Sequence, residues 1–356
     1  MISTNEPIRV AIIGYGISGV LSHAVAIQAN PAFSVRAVCD LSSERREQAR
    51  KDLNCDVYES HKQLCERPDS IDLACVITRS DTHCAIVTDC FNAGFHTLVT
   101  KPWALNRQEA DAMLAAQKSS GKRLFPWMPI YWSPEYRKIQ ELVRSGAIGE
   151  VFLARRYVTQ FWKRSDWQTE QRFGGGYLLN WGMHIIQPIL DLADSPAKHV
   201  SGQLQRTINP GDADDNFQAA IEFENGMRGI AEFTEAIEGL PSFMIQGTRG
   251  TILSDEKTVT LLQKEPDPSQ EPVRSTFPIE GKVYGDEIEI YKDLAENLLH
   301  NTPFRATTEA AYQGTLVLDA LRKSHHSRRW MEVEREAQTP SIDQSLDLSG
   351  TNPTNP

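Results

Sequence analysis

Lys101 lies in the run LVTKPWALN, residues 98–106, directly after an apolar strand-like stretch and directly before Pro102. A lysine at a strand end ordinarily points to water. The following proline restricts the backbone here, and an amine held at the rim of a cleft, partly buried and near a cation, can lose its proton near neutral pH. Such a group takes a proton from a hydroxyl or returns it. A second constellation is FGGGYLLNWGMHIIQPILDL, residues 173–192, where three glycines precede a helix. Asn180 and His184 are four apart and share a helix face, which Gln187 continues. A lone helical histidine is more often a satisfied core residue. A polar stripe inside an apolar helix is costly unless it lines a wet cavity. With one strong ligand in the stripe, no metal is expected.

The third constellation is GYGISG, residues 14–19. It follows an apolar run and opens a helix-like segment, the context that gives a G-x-G-x-x-G meaning. Gly14 permits the tight turn, Gly16 lets the backbone approach a pyrophosphate, and Gly19 lets helix and strand pack closely. Tyr15, Ile17 and Ser18 complete the turn, whose N–H groups face the anion. Asp40 ends the next strand and would hold a ribose diol. It favours NAD; Arg45 and Arg46 stand nearby to accept a 2′-phosphate instead, which leaves NADP open.

The elements around these residues change rhythm once. Residues 8–126 alternate buried strands with helices: IRVAIIG, FSVRAVCD, IDLACVIT, HTLVT and KRLFPWM read as strands. That alternation marks a parallel sheet with crossover helices. Beyond the helix SPEYRKIQELVRSG come longer strands, GEVFLARRYVTQF, AKHVSGQLQRT and FQAAIEFENGMRGIAEF, the last with a hairpin signal at Asn225-Gly226. Residues 127–333 therefore read as an α+β domain on an antiparallel sheet closed by two helices. Residues 334–356 are polar and rich in proline and serine, and are expected to be disordered.

Two domains fit a length of 356 residues. A formal charge of -10 without a basic stripe argues against a nucleic-acid partner. RKSHHSRRW, residues 322–330, reads as a solvated helix end. No run of about 18 apolar residues predicts a membrane span, and the N-terminus lacks a secretory pattern. Six cysteines between Cys39 and Cys90 form no C-x-x-C pair and sit in part within apolar runs. They read as reduced thiols of a cytoplasmic protein.

These motifs together resemble the Gfo/Idh/MocA family, the group of glucose-fructose oxidoreductase and inositol dehydrogenase. The resemblance runs from about residue 8 to 333, through GYGISG, VITRSDTHCAIVTDCFNAGFHTLVTKP, the glycine-rich stretch leading to His184, and GTLVLDALRKSHHS. It implies a Rossmann domain followed by a domain with a large, mostly antiparallel open sheet that forms subunit contacts, hence a homodimer or homotetramer. It implies NAD(P)-linked oxidation or reduction of a sugar, cyclitol or related polyol. By resemblance Lys101 is the catalytic lysine and His184 the histidine that binds the reacting hydroxyl. Asn180 would help hold that oxygen, and Thr78, Ser80 and His83 lie beside the ribose and nicotinamide, with Pro102 next to the lysine.

Thr100, Asn180 and Gln187 each replace a carboxylate usual in the family, and PWMPIYWSP lacks an arginine often found there. Fewer anions make Lys101 easier to deprotonate and His184 less prone to charge. Sugar recognition is expected from YVTQFWKRSDWQTEQRF, through Tyr157, Lys163, Trp167 and Arg172, with Phe161 or Trp162 assigned to the core and Trp181 to packing. Two other readings stay open. Some relatives use NAD transiently to cleave a glycosidic bond, and a regulator would bind cofactor without turnover.

Overall fold

The computed structural model describes residues 6–267 and 269–334; the expectation for the polar tail falls outside them, save for residue 334. The alternating N-terminal segments form a six-stranded sheet: β1 (Ile8–Ile13), β2 (Phe33–Cys39), β3 (Asp56–Tyr58), β4 (Leu73–Val76), β5 (His96–Val99) and β6 (Leu124–Pro126). Every pairing is parallel, in the order β3-β2-β1-β4-β5-β6. β1 and β4 are buried almost throughout, which is why their sequences are continuous apolar runs. The connecting helices are α1 (Val25–Gln28), α2 (Ser43–Leu53), α3 (His61–Cys65), α4 (His83–Asn92) and α5 (Arg107–Ser120). Strand order reverses between β1 and β4, so the crevice for a ligand opens at their C-terminal ends.

The helix after the glycine turn winds as a π-helix over Gly19–Ala24 before tightening into α1. Such single wide turns occur at functional positions. His23 points inward from it, its Nδ1 2.8 Å from the hydroxyl of Tyr291.

After α6 (Pro134–Arg144) come β7 (Val151–Thr159), α7 (Tyr177–Ala193), β8 (Ala197–Gln205), β9 (Asn216–Phe223), β10 (Arg228–Thr234), β11 (Phe243–Gly247), β12 (Gly250–Ser254), β13 (Thr258–Gln263) and β14 (Val273–Pro278). α8 (Glu287–His300), α9 (Thr308–Ser327) and β15 (Met331–Glu332) complete the described chain. The nine strands are ordered β14-β13-β12-β11-β7-β10-β9-β8-β15. Asn225-Gly226 makes the expected hairpin between β9 and β10. The sheet is not wholly antiparallel: β10 runs parallel to β7, because the chain crosses over through α7 before returning.

α7 and α9 cover one face of this sheet. The other face is open, with Leu253, Met244, Arg155, Ile230 and Ala220 registered side by side across five strands, all half-buried. Among the described residues no helix is long and apolar enough to cross a membrane. The assignment of Phe161 or Trp162 to the core is corrected. Both are about 60% exposed, because the chain leaves the sheet at Thr159 and passes over the end of β7.

α7 carries the polar stripe, and its start is held from elsewhere in the chain. Gly176 has φ 108 and no side chain to cap with. Asp214, from the loop before β9, supplies the cap: its Oδ2 accepts from Leu178 N at 2.7 Å and its carbonyl from Tyr177 N at 2.8 Å. Replacing Asp214 with alanine removes a helix cap and should cost about 1–2 kcal/mol. Urea unfolding should show a lower midpoint at unchanged slope, with Asp214→Asn recovering most of the loss.

Candidate active site

Gly14 sits at φ 101, and a Cβ there would lie 2.5 Å from the Ile77 carbonyl; one on Gly19 would lie 2.3 Å from the Gly14 carbonyl. Both contacts are backbone, so only glycine closes this turn. Gly16 is different: a Cβ would meet nothing nearer than Arg45 Nη1 at 3.6 Å, which leaves open the space a pyrophosphate needs. Ile17 and Ser18 lie exposed at the helix start, while Tyr15 is buried and donates through its hydroxyl to Asp52 at 3.1 Å.

Asp40 stands at the end of β2, as its spacing requires, but its carboxylate is already engaged. It accepts from Tyr15 N at 2.7 Å and Ser42 N at 2.9 Å, and Arg45 Nη1 lies 3.6 Å away. Its side chain is only 7% exposed, whereas Arg45 is 57% exposed and reaches over Gly16. Asp40 thus shapes the turn, and Arg45 is the exposed charge that stands over Gly16.

His83 joins this turn to the lysine. It is buried at the start of α4, with Nε2 3.0 Å from the Thr78 carbonyl and Nδ1 2.9 Å from the Pro102 carbonyl. Thr78 follows β4, and Pro102 follows Lys101 past β5. The imidazole therefore lies between two adjacent strand ends and can donate to one of the two carbonyls at a time. Burial lowers its pKa, against the pull of the two carbonyls.

From the other sheet, the glycine loop docks on the same place. A Cβ on Gly174 would lie 2.5 Å from Leu105 and 2.9 Å from the buried Ser80, and Arg79 stacks over Phe173 at 4.1 Å. That approach brings α7 down onto the strand ends. Lys101 Nζ donates to the Asn180 carbonyl at 3.0 Å and also to its side-chain oxygen. The Asn180 amide in turn donates to Gln168. His184 lies one turn on, packed between Trp181 and Tyr284 with ring centroids 5.8 Å from each. Neither of its ring nitrogens hydrogen-bonds to another described residue.

Lys101 keeps some contact with solvent, yet burial, then the charge of Arg164, brings its ammonium down to about 7. His184 is held well below its ordinary value by burial, then by Lys101 and Arg156. The site thus offers a neutral imidazole and an amine poised to titrate. Arg156 is fully buried on the inner face of β7, donating to the Ser242 carbonyl at 2.9 Å and the Tyr157 carbonyl at 3.0 Å.

The remaining sequence candidates scatter. Tyr157 alternates with Arg156 and belongs to the open outer face of the sheet, opposite Glu232. Lys163 and Arg172 are exposed, Arg172 being paired with Glu170. Trp167 is half-buried beside Gln168. Four residues that matter to the geometry carried no local signal. Arg164, Gln168 and Arg156 are ordinary polar residues in sequence, and Tyr284 lies 100 positions beyond His184 in a loop. Gln187 points away from the cleft, donating to Asp191 at 2.9 Å. Among the described residues no group of three histidine, cysteine or carboxylate side chains is arranged to hold a metal.

A parallel sheet with a glycine turn at its switch point, and a second sheet that sets a helix over a strand-end lysine, define a dinucleotide-dependent oxidoreductase. Residues 8–127 match the oxidoreductase family with NAD-binding Rossmann fold, and residues 136–253 match the GFO/IDH/MocA C-terminal domain. The chain belongs to the Gfo/Idh/MocA family and is an NAD(P)-dependent dehydrogenase or reductase. It is similar to an uncharacterized oxidoreductase of Schizosaccharomyces pombe, 25% identical over 69% of this chain and 70% of that protein. Myo-inositol 2-dehydrogenase of Thermotoga maritima is 22% identical over 92% of this chain and 98% of its own. Among solved structures, an NAD-binding protein from Listeria innocua superposes with a TM-score of 0.81 at 24% identity, covering 91% of this chain and 96% of that one.

The placement of Arg45 sets an expectation for cofactor choice. A charge-assisted contact to a phosphate is worth about 1.5–3 kcal/mol. Arg45→Ala should therefore raise the Kd for NADP(H) about tenfold or more and leave NAD(H) within about threefold, read by nicotinamide fluorescence. Equal losses for the two would show that Arg45 supports the turn rather than the phosphate.

Proposed function

We propose that this enzyme interconverts a CH–OH and a C=O group on a sugar, cyclitol or related polyol, with Lys101 as general acid/base. The observation that carries the reading is the meeting of Lys101 and α7. The amine reaches from the β5 strand end to Asn180, beside a neutral histidine, at the mouth of the crevice where the glycine turn lies. The polyol class draws support from the inositol dehydrogenase likeness.

Bound nicotinamide supplies the hydride acceptor in the oxidising direction and the donor in the other. The chain manages the proton. When the carbinol carbon loses hydride, its hydroxyl proton passes to Lys101 Nζ; in reduction the ammonium returns it to the forming alkoxide. His184 holds the reacting oxygen as a neutral hydrogen-bonding group, since burial, and after it the charges of Lys101 and Arg156, disfavour its charged form. Asn180 acts on Lys101: its two oxygens aim the amine, and Gln168 fixes the amide in turn. The open face of the nine-stranded sheet, with its half-buried row in which Arg155 stands among apolar side chains, is the surface proposed for pairing with a second copy. Light scattering on the purified protein checks this, and a monomer at micromolar concentration would refute it.

The lysine's position near 7 fixes the direction of the pH dependence. Oxidation needs the free amine, so its rate should rise with pH through about 7 and then level. Reduction needs the ammonium and should fall over the same range. Lys101→Met should bind cofactor normally, lose turnover by a factor of about 100–10,000, and show no such inflection. A sugar and cyclitol screen followed by nicotinamide absorbance supplies the substrate for these assays. Undiminished turnover in Lys101→Met would refute the assignment.

A further inference from the structure

The chain leaves the nine-stranded sheet twice at one end, and both exits carry large apolar side chains in contact with water. β7 and β10 run parallel, with Thr159 opposite Thr234 as their last pair. The pairing continues one step further, Gln160 N donating to the Thr234 carbonyl at 3.2 Å. Beyond it stand Phe161 and Trp162 on one segment and Ile237 and Leu240 on the other, all four exposed. Two more contacts tie the segments together. Glu235 Oε2 accepts from Trp162 N at 3.2 Å. A Cβ on Gly239 would lie 3.0 Å from Thr159 Oγ1, so the second segment folds back against the end of β7. Single exposed apolar side chains are ordinary. Four on two joined segments make a patch, and such patches mark binding surfaces.

The patch is continuous with the cleft of Lys101 along the chain. Arg164, two residues past Trp162, has its N–H held by Asn209 Oδ1 at 2.7 Å and its guanidinium paired with Asp166. Its Cζ lies 5.5 Å from the centroid of Trp162, and its charge is felt by Lys101. Four residues on, Gln168 accepts from the amide of Asn180, whose carbonyl accepts from Lys101. Six residues of chain reach at most about 22 Å, and a 3-10 turn over Trp167–Thr169 shortens this path. Trp162 therefore stands on the rim of the same cleft.

We infer that the substrate is a polyol ring bearing an apolar substituent, an aryl or alkyl group, which rests on Trp162, Phe161, Ile237 and Leu240 while the ring's hydroxyls meet Lys101 and His184. This rests on the Lys101 assignment and narrows it to a substrate class. A second sugar ring suits the patch less well. One face of a sugar can stack on an indole, but its hydroxyls need partners, and Phe161, Ile237 and Leu240 offer none. An aryl or alkyl group needs none, and burying it against these side chains is favourable for that reason.

The test compares methyl and phenyl glycosides of a panel of hexoses and pentoses, followed by nicotinamide absorbance. The phenyl glycoside should exceed the methyl glycoside of the same sugar in kcat/KM by about tenfold or more, mainly through KM. In Trp162→Ala and in Ile237→Ser that ratio should fall to within about threefold of unity, with the dinucleotide Kd of each variant reporting that it folds. The inflection at about pH 7 should persist in both, since it belongs to Lys101. A ratio near one in the wild type, or a phenyl preference that survives both substitutions, would overturn the inference and leave the Lys101 assignment standing; a flat pH profile would sink that assignment instead. Turnover of no glycoside, whatever the free polyols do, would also overturn it. So would a dimer that Trp162→Ala turns into a monomer by light scattering, because the patch would then belong to a second copy.

Discussion

The hydrogen bond from Lys101 to Asn180 spans 79 residues and joins the two sheets at the one place where chemistry is expected. Each partner is held by contacts of its own. Lys101 stands two residues beyond a buried parallel strand, and the residue after it, Pro102, has its carbonyl against His83. Asn180 sits on a helix whose start is capped by Asp214 and whose preceding loop can pack closely only because residue 174 is glycine. A shift in either support would separate the amine from the helix, and the pH-poised lysine would become an ordinary exposed one.

The electrostatic character follows from what surrounds this bond. Thr100, Asn180 and Gln187 bring no carboxylate to the cleft, while Arg156 and Arg164 bring positive charge. Cations near an amine disfavour its charged form, and burial acts in the same direction. The contrast between a titrating lysine and a neutral histidine thus arises first from burial and then from the neighbouring positive charges. Behind the site, the buried Glu135 accepts from Ser254 Oγ at 2.5 Å and from Glu256 N at 3.0 Å, and Arg156 donates to carbonyls of β7 and of the residue before β11. Buried charges are tolerable only with such partners, and these fix the wall against which α7 rests.

At the glycine turn the carboxylate of Asp40 is already engaged within the chain. Asp40 lies where a ribose-binding acid belongs, yet its oxygens first satisfy the N–H groups of Tyr15 and Ser42. The turn is therefore coupled to the end of β2. Arg45 lies over the turn in a position that the chain order alone would not reveal.

What the sequence determined by itself was local and periodic. The glycine turn, the buried strands, the NG hairpin, the stripe on α7 and the strand-end lysine are consequences of backbone sterics and of side-chain repeat, and these act over a few residues. It does not separate the two faces of β7, so sequence groups Tyr157 with the cleft though it belongs to the open face, and assigns Phe161 or Trp162 to the core because hydrophobicity does not say where a chain leaves a sheet. The short strands β13, β14 and β15 carry weak patterns and gained their identity from partners. Only the tertiary structure decided that Asn180 accepts from Lys101, that Gln168 accepts from Asn180 in turn, and that Tyr284 packs on His184. Those contacts join residues far apart in the chain, and they exist because two separately built sheets are pressed together, which no local pattern encodes.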